Sequence, residues 1–402
     1  MVETLFTGGL VYMDGALRPL DVLMAGETIA RIAPRIDAPD AARFDLNGRV
    51  LSPGFIDLHV HLREPGYEYK ETIATGTRAA AAGGFTTVCA MPNLRPVPDC
   101  QEALAVQQAA IAKDALVEVL PYGAITRGQG GQELSDMEAL APFCPGFSDD
   151  GRGVQDASLM KEAMRRARAL HRPIVAHAED EALLAQGLSA EAEWRQVARD
   201  LELVRETGAQ YHICHVSAKE TVALLRRAKA EGLPVSAECT PHQLAFSMEG
   251  IPDEGRFKMN PPLRTRDDRE AIIEGLIDGT IDAIATDHAP HSAAEKAGGF
   301  AASVNGVVGL ETAFAACHTA LVRGGHCDLP RLLDRLTHAP ARVLGRQVGI
   351  APGSIANLTV IDPEAVWTVD PDKFYSLGRS SPFAGERLTG RVDATFYKGV
   401  QL

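Results

Sequence analysis

The segment FIDLHVHLREPG at residues 55–66 alternates apolar and polar side chains with period two. In a β-strand that spacing puts Asp57, His59 and His61 on one face and Ile56, Leu58 and Val60 on the other. Two imidazoles aimed together need a partner, and a divalent cation is the partner their chemistry suits. Similar side chains end other apolar runs: Asp149 and Asp150 in GFSDDG, His177 in PIVAHAED, His212 and His215 in YHICHVS, and Asp287, His288 and His291 in IATDHAPH. Imidazole and carboxylate donors without thiolates fit Zn²⁺ or a similar ion in an open catalytic site. So many imidazole and carboxylate donors exceed what one tetrahedral ion takes, which points to two metals bridged by a carboxylate and a hydroxide. On chemistry alone, Asp149 and Asp150 are rival bridging groups.

Such a constellation needs a scaffold that brings several strand ends to one place. Eight apolar runs read as strands: 55–61, 85–91, 117–123, 146–149, 173–177, 210–216, 234–239 and 282–287. Helical spacing falls between them, at 69–82, 156–170, 193–207, 218–231 and 267–278, with further helical pieces near 309–323 and 329–336. Strands alternating with amphipathic helices predict an α/β fold, a (β/α)8 TIM-like barrel whose strand ends carry the chemistry. Residues 1–51 and 345–402 read instead as short β segments punctuated by turns. Each is too short to bury a core alone, so together they are expected to form one small discontinuous β-sandwich domain flanking the barrel at 52–344.

The chain has 402 residues with 53 acidic against 40 basic side chains, a formal charge of −13. That balance argues against nucleic acid or an anionic membrane as partner, since both need a basic footprint. An anionic small-molecule substrate must therefore meet locally placed arginine or lysine. Seven cysteines, odd in number and without CxxC spacing, predict neither a disulfide framework nor a thiolate zinc site, and fit a cytoplasmic setting. Cys214 beside His215 suggests a nucleophilic dyad, but neighbouring strand residues point to opposite faces and packing is the expected role. No basic-then-apolar leader and no run of about 18 uncharged apolar residues occurs, so neither export nor a membrane span is expected.

The motifs SPGFIDLHVHLREPG (52–66), GGFTTVCAMPN (83–93), FSDDGRGVQ (147–155), AHAED (176–180), YHICHVS (211–217), KMNPPLR (258–264) and TIDAIATDHAPH (280–291) resemble the amidohydrolase superfamily and, within it, the class I bacterial-type dihydroorotases. The resemblance runs over nearly the whole chain. It implies that His59, His61, Asp150, His177, His215 and Asp287 ligate two Zn²⁺ ions per subunit, with Asp150 and a hydroxide as bridges. It also implies that His61, Arg63, Asn93, Asn260 and His291 hold substrate, and that Asp287 is the catalytic acid–base group. The implied reaction is the reversible conversion of N-carbamoyl-L-aspartate to L-dihydroorotate and water in pyrimidine biosynthesis. Many relatives bridge their metals with a carbamylated lysine from strand four, but this chain has no lysine between Lys113 and Lys161, which disfavours hydantoinases and most allantoinases. An allantoinase-like hydrolase and a non-catalytic scaffold for aspartate carbamoyltransferase are the rival functions; that enzyme and further copies of this chain are the macromolecular partners the resemblance raises. The chain departs from the family's usual pattern in a shorter 177–215 segment and in SVNG at 303–306, where relatives usually carry Pro-Phe-Gly.

Overall fold

The computed structural model describes residues 3–187 and 189–402. All eight expected strand segments take part in parallel pairing, but unequally. Phe55–Val60, Phe85–Ala90 and Glu118–Pro121 form one parallel sheet. Ile174–Ala176, Tyr211–Ile213, Val235–Cys239 and Ala283–Ile284 form a second. Segment 146–149 is no ladder strand: Phe147 alone makes parallel bridges, to Gly123 on one side and Ile174 on the other. The reason lies next to it, where the Asp149 carboxylate accepts the N–H groups of Ile125 and Thr126 at 2.8 and 3.1 Å. A single parallel bridge likewise joins Val60 to His288.

Helices lie between the strands, at Ile73–Ala82, Gln101–Asp114, Ala157–Ala169, Ser189–Thr207, Lys219–Ala230 and Arg266–Asp278. Side-chain caps mark the starts of three of them. The helix expected from Tyr69 begins at Ile73, because Thr72 and Thr75 form a reciprocal capping box there. Asp156 accepts from the N–H groups of Ser158 and Leu159, and Thr265 pairs with Asp268, at the starts of two others. The piece near 309–323 is broken into a 3₁₀ turn, a short α-helix and a π-helical turn.

Two apolar layers flank the strands. Val60, Val88, Phe147, Ile174, Ile213 and Ala237 pack outward against helix residues such as Ile73, Leu104, Met160, Val222 and Ile272. Ile56, Leu58, Cys89, Tyr122, Val175, Cys214, Ala283 and Ala285 form the other layer, with side chains from strands of both sheets. Burying each of these large side chains contributes about 1.5–3 kcal/mol.

This distribution corrects the simple alternation expected for 55–61. Ile56 and Leu58 lie in one layer and Val60 in the other, because the pairing with Phe85–Ala90 shifts register between Asp57 and Val60. Asp57 consequently turns to the neighbouring strand, accepting from Thr286 N at 3.1 Å and Thr286 Oγ1 at 2.6 Å.

The terminal segments form two sheets. Glu3–Thr7, Asp21–Ala25, Thr28–Ala33 and Ala42–Asp45 make one; Leu10–Met13, Ala16–Arg18 and Val50–Pro53 join Leu358–Thr368, Arg387–Tyr397 and Val400–Gln401 in the other. Phe6, Val22, Ile29, Leu51, Leu358 and Phe396 bury a core of their own. Among the described residues, no helix is long and apolar enough to cross a membrane.

Candidate metal centre

The functional side chains sit where the strands end, and the backbone there leaves regular geometry. Arg63, His215 and Asp287 have φ of 61°, 33° and 48°, the left-handed region that non-glycine residues rarely enter. Each such conformation costs about 1–3 kcal/mol and persists only where surrounding structure enforces it. The consequence is directional. After Ile213 the strand stops, so Cys214 joins the layer of Ile56 and Val175 while His215 also turns toward the histidines of the first strand. The expectation that Cys214 and His215 face opposite sides therefore fails. Cys214 still packs as expected: it is buried, burial pushes its thiol pKa up, and its sulfur lies within 4.8 Å of donor atoms of His59 and Glu238.

All six residues inferred as ligands converge. Asp150 is central: Oδ1 lies 3.3 Å from His59 Nε2, 3.6 Å from His215 Nε2 and 3.7 Å from His177 Nδ1, and Oδ2 lies 3.5 Å from His61 Nε2. Asp287 Oδ1 is 3.1 Å from His61 Nε2 and 3.5 Å from His59 Nε2. Two overlapping groups, His59–Asp150–His215 and His59–His61–Asp287, each place their donor atoms within 4.8 Å of one another. All of these side chains are buried. Burial opposes charge on Asp150, but the imidazoles of His59, His177 and His215 hold its carboxyl well below the usual range. Burial likewise opposes charge on Asp287, and His59 and His61 outweigh it.

Buried polar atoms normally find partners, yet His59 Nε2 and Asp150 Oδ1 lack hydrogen bonds although they face each other. A cation between them would satisfy both, so the donor set fits a metal centre. Asp149, the rival, is fully engaged elsewhere: besides the two backbone N–H groups it accepts from the Thr126 hydroxyl. The structure thus separates two adjacent aspartates that chemistry alone could not.

Two carboxylates escaped the sequence reading. Glu238 accepts from His59 Nδ1 at 2.8 Å and from His212 Nε2 at 3.0 Å, so His59 is held with Nε2 facing Asp150. Glu179 pairs with His177 Nε2 at 2.7 Å and leaves Nδ1 toward His215, 3.0 Å away. Such outer carboxylates fix the tautomer and orientation of a ligating imidazole. Glu238 was legible only as a charged residue inside the run VSAEC. His212 and His288 are not part of the cluster: His212 binds Ser236 and Glu238, and His288 faces Glu71 Oε2 at 3.3 Å.

The remaining candidates rim the cluster. Asn93 Nδ2 donates to Asp150 O at 2.6 Å and its Oδ1 is unpaired. Asn260 Nδ2 donates to Glu179 at 2.6 Å. Arg63 Nη2 lies 3.3 Å from His291 Nε2, and Arg63 Nε donates to Pro290 O.

The profile of the dihydro-orotase-like family matches residues 48–197. A dihydroorotase of Listeria monocytogenes serovar 1/2a is 47% identical over 410 residues, covering 98% of this chain and 96% of the relative. One of Bacillus cereus is 47% identical over 395 residues, covering 94% of this chain and 92% of the relative. Among solved structures, an L-hydantoinase (dihydropyrimidinase) from Arthrobacter aurescens superposes with a TM-score of 0.90 at 24% identity, over 100% of this chain and 96% of that one. A Thermus D-hydantoinase gives 0.86 at 26% identity, over 99% and 94%. The fold is thus shared with hydantoinases, while identity along nearly the whole length lies with dihydroorotases. With its histidines and aspartates gathered at the strand ends, the chain belongs to the dihydroorotase family of cyclic amide hydrolases.

Proposed function

We propose that this enzyme interconverts N-carbamoyl-L-aspartate and L-dihydroorotate in pyrimidine biosynthesis, and that His59, His61, His177, His215, Asp150 and Asp287 would hold two Zn²⁺ ions. The observation that carries this reading is the position of Asp150, within 3.7 Å of four imidazoles and with an oxygen left unpaired. Bound divalent ions supply Lewis acidity toward a carbonyl and lower the pKa of water. The scaffold in this proposal is a closed (β/α)8 barrel at 52–344. It is supported by the parallel pairings that run from Phe55–Val60 through Phe147 to Ala283–Ile284 and by the Val60–His288 bridge. Residues 1–51 and 345–402 form the accompanying β domain, supported by the sheet they share.

Asp287 is the acid–base group. It takes a proton from the attacking water during hydrolysis and returns it to the departing ring nitrogen; cyclisation runs the same transfers in reverse. Burial opposes charge on this carboxylate and the nearby imidazoles outweigh it, so Asp287 stays ionised, the form that can take up a proton. Arg63 pairs with the substrate carboxylate, while Asn93, Asn260 and His291 orient the ring. His61 borders both the metal ligands and this rim.

N-carbamoyl-aspartate carries two carboxylates and dihydroorotate one, so cyclisation takes up a proton. The equilibrium should move toward the ring as pH falls and toward hydrolysis as it rises. Loss of dihydroorotate, followed with metal-replete and with chelated enzyme across that pH range, tests the assignment. Equal rates in the two preparations, or an equilibrium that ignores pH, would overturn it. An allantoinase assay on the same preparation addresses the nearest rival.

A further inference from the structure

His291 stands between two cations that can only donate hydrogen bonds. Lys70 Nζ lies 3.1 Å from His291 Nδ1, and Arg63 Nη2 lies 3.3 Å from His291 Nε2. A neutral imidazole has one bare nitrogen and one N–H, so it can accept from only one of them. Lys70 is the better placed. Its contact is the shorter, its side chain is 12% exposed, and Glu295 Oε1 anchors the ammonium at 2.8 Å. The rings of Tyr67 and Tyr69 flank it at 5.7 and 5.4 Å. Arg63 already donates through Nε to Pro290 O.

We propose that Lys70 is a positioning residue for substrate binding: by donating to Nδ1 it fixes His291 as the Nε2–H tautomer, so that this N–H and the Arg63 guanidinium converge as paired donors for the substrate carboxylate. The inference rests on the substrate assignment above and adds a residue to it. Two donors 3.3 Å apart with no acceptor between them are poor partners for each other and good ones for an anionic oxygen. Space supports this. A Cβ at Gly306, whose φ is +128°, would lie 2.8 Å from His291 Nε2, so glycine in SVNG keeps that nitrogen open. Burial, with the positive charges of Arg63 and Lys70, favours the uncharged ring.

Removing Lys70 would reverse the tautomer for a definite reason. Glu295 Oε2 sits 3.7 Å from His291 Nδ1 and is the carboxylate poised to accept an Nδ1–H. Nε2 would then present a lone pair to the substrate carboxylate. The test compares wild type, Lys70→Met, Lys70→Arg and Lys70→Met/Glu295→Met. Imidazole ¹⁵N spectra should report a bare Nδ1 in the wild type and a protonated Nδ1 in Lys70→Met. KM for dihydroorotate should rise about 10- to 100-fold in Lys70→Met with kcat nearly unchanged, the loss of one charge-assisted contact. Lys70→Arg should recover most of that loss, and the double variant part of it, because no carboxylate remains to draw the proton to Nδ1. A wild-type ring protonated on Nδ1, or a Lys70→Met enzyme with unchanged KM, would overturn the role of Lys70 while leaving the substrate standing. Wild-type enzyme that does not turn over dihydroorotate would remove the substrate assignment itself.

Discussion

Asp149 and Asp150 are adjacent in sequence and both buried, yet they belong to opposite kinds of polar region. Around Asp149, and around Asp57, the carboxylates are consumed by the fold: Asp149 ties down Ile125 and Thr126, and Asp57 ties down Thr286. Around Asp150 the same residue types leave His59 Nε2 and Asp150 Oδ1 unpaired. Complete hydrogen bonding makes the first region part of the scaffold. Incomplete bonding, held in place by strained backbone at Arg63, His215 and Asp287, makes the second a site. Composition alone does not separate them; what separates them is whether the protein itself supplies the last partner.

The largest effect should come from exchanging these roles. Asp150→Ala should lose most bound metal by elemental analysis and nearly all turnover, and bicarbonate should restore neither, since no carbamylated lysine is involved. Asp149→Ala should keep its metal but leave buried donors unpaired, each costing about 1–3 kcal/mol, and so unfold at lower denaturant concentration. The opposite ranking would move the bridge to Asp149 and dissolve the contrast.

Asp287→Asn comes next and separates ligand from proton carrier within the incomplete region. Kcat should fall at least 10²–10⁴-fold in both directions while much of the metal remains, because the amide can contact a cation but cannot shuttle the proton. Metal content and turnover measured on one preparation decide it: activity lost only in step with metal, and recovered by excess zinc, would reduce Asp287 to a ligand.

A smaller loss is expected at the border between the regions. Glu238→Gln weakens the hold on His59 Nδ1 and should lower metal affinity about 10- to 100-fold, read by chelator competition. An unchanged affinity would place Glu238 wholly in the scaffold.

The smallest effect lies in the scaffold itself and depends on pH. Glu311 accepts from the backbone N–H groups of Tyr375 and Ser376, and burial pushes its pKa up to about 7. A carboxyl whose pKa is higher folded than unfolded favours the folded state at low pH. Its contribution is fully present below the unfolded value near 4.5 and fades as pH rises through about 7. Denaturation of Glu311→Gln at pH 5 and pH 7 should show a flatter pH dependence than the wild type; an identical slope would remove Glu311 from the balance.

Much of this was legible without coordinates. Period-two spacing and strand–helix alternation marked the eight segments, and the family resemblance carried by DLHVHLREPG, FSDDGRGVQ, AHAED, YHICHVS and ATDHAPH marked the residues that converge. What the linear pattern misplaced was local. It put Asp57 with His59 because it assumed unbroken alternation, and it separated Cys214 from His215 because it extended a strand that ends at Ile213. It passed over Glu179, Glu238 and Lys70, since single charged residues in loops and strands carry no periodic signal.

The sequence by itself determined which donors exist, that they end successive apolar runs, that no strand-four lysine is present, and that any positive charge for an anionic substrate must be local. Those properties depend on residue type and spacing. Residue chemistry left two neighbouring aspartates as rivals and the family resemblance favoured Asp150; only the tertiary structure showed that it faces the histidines, which nitrogen of each imidazole points inward, and which carboxylates hold the rings. These depend on contacts between residues as far apart as His59 and Glu238, and on left-handed turns at strand ends, which no local pattern encodes.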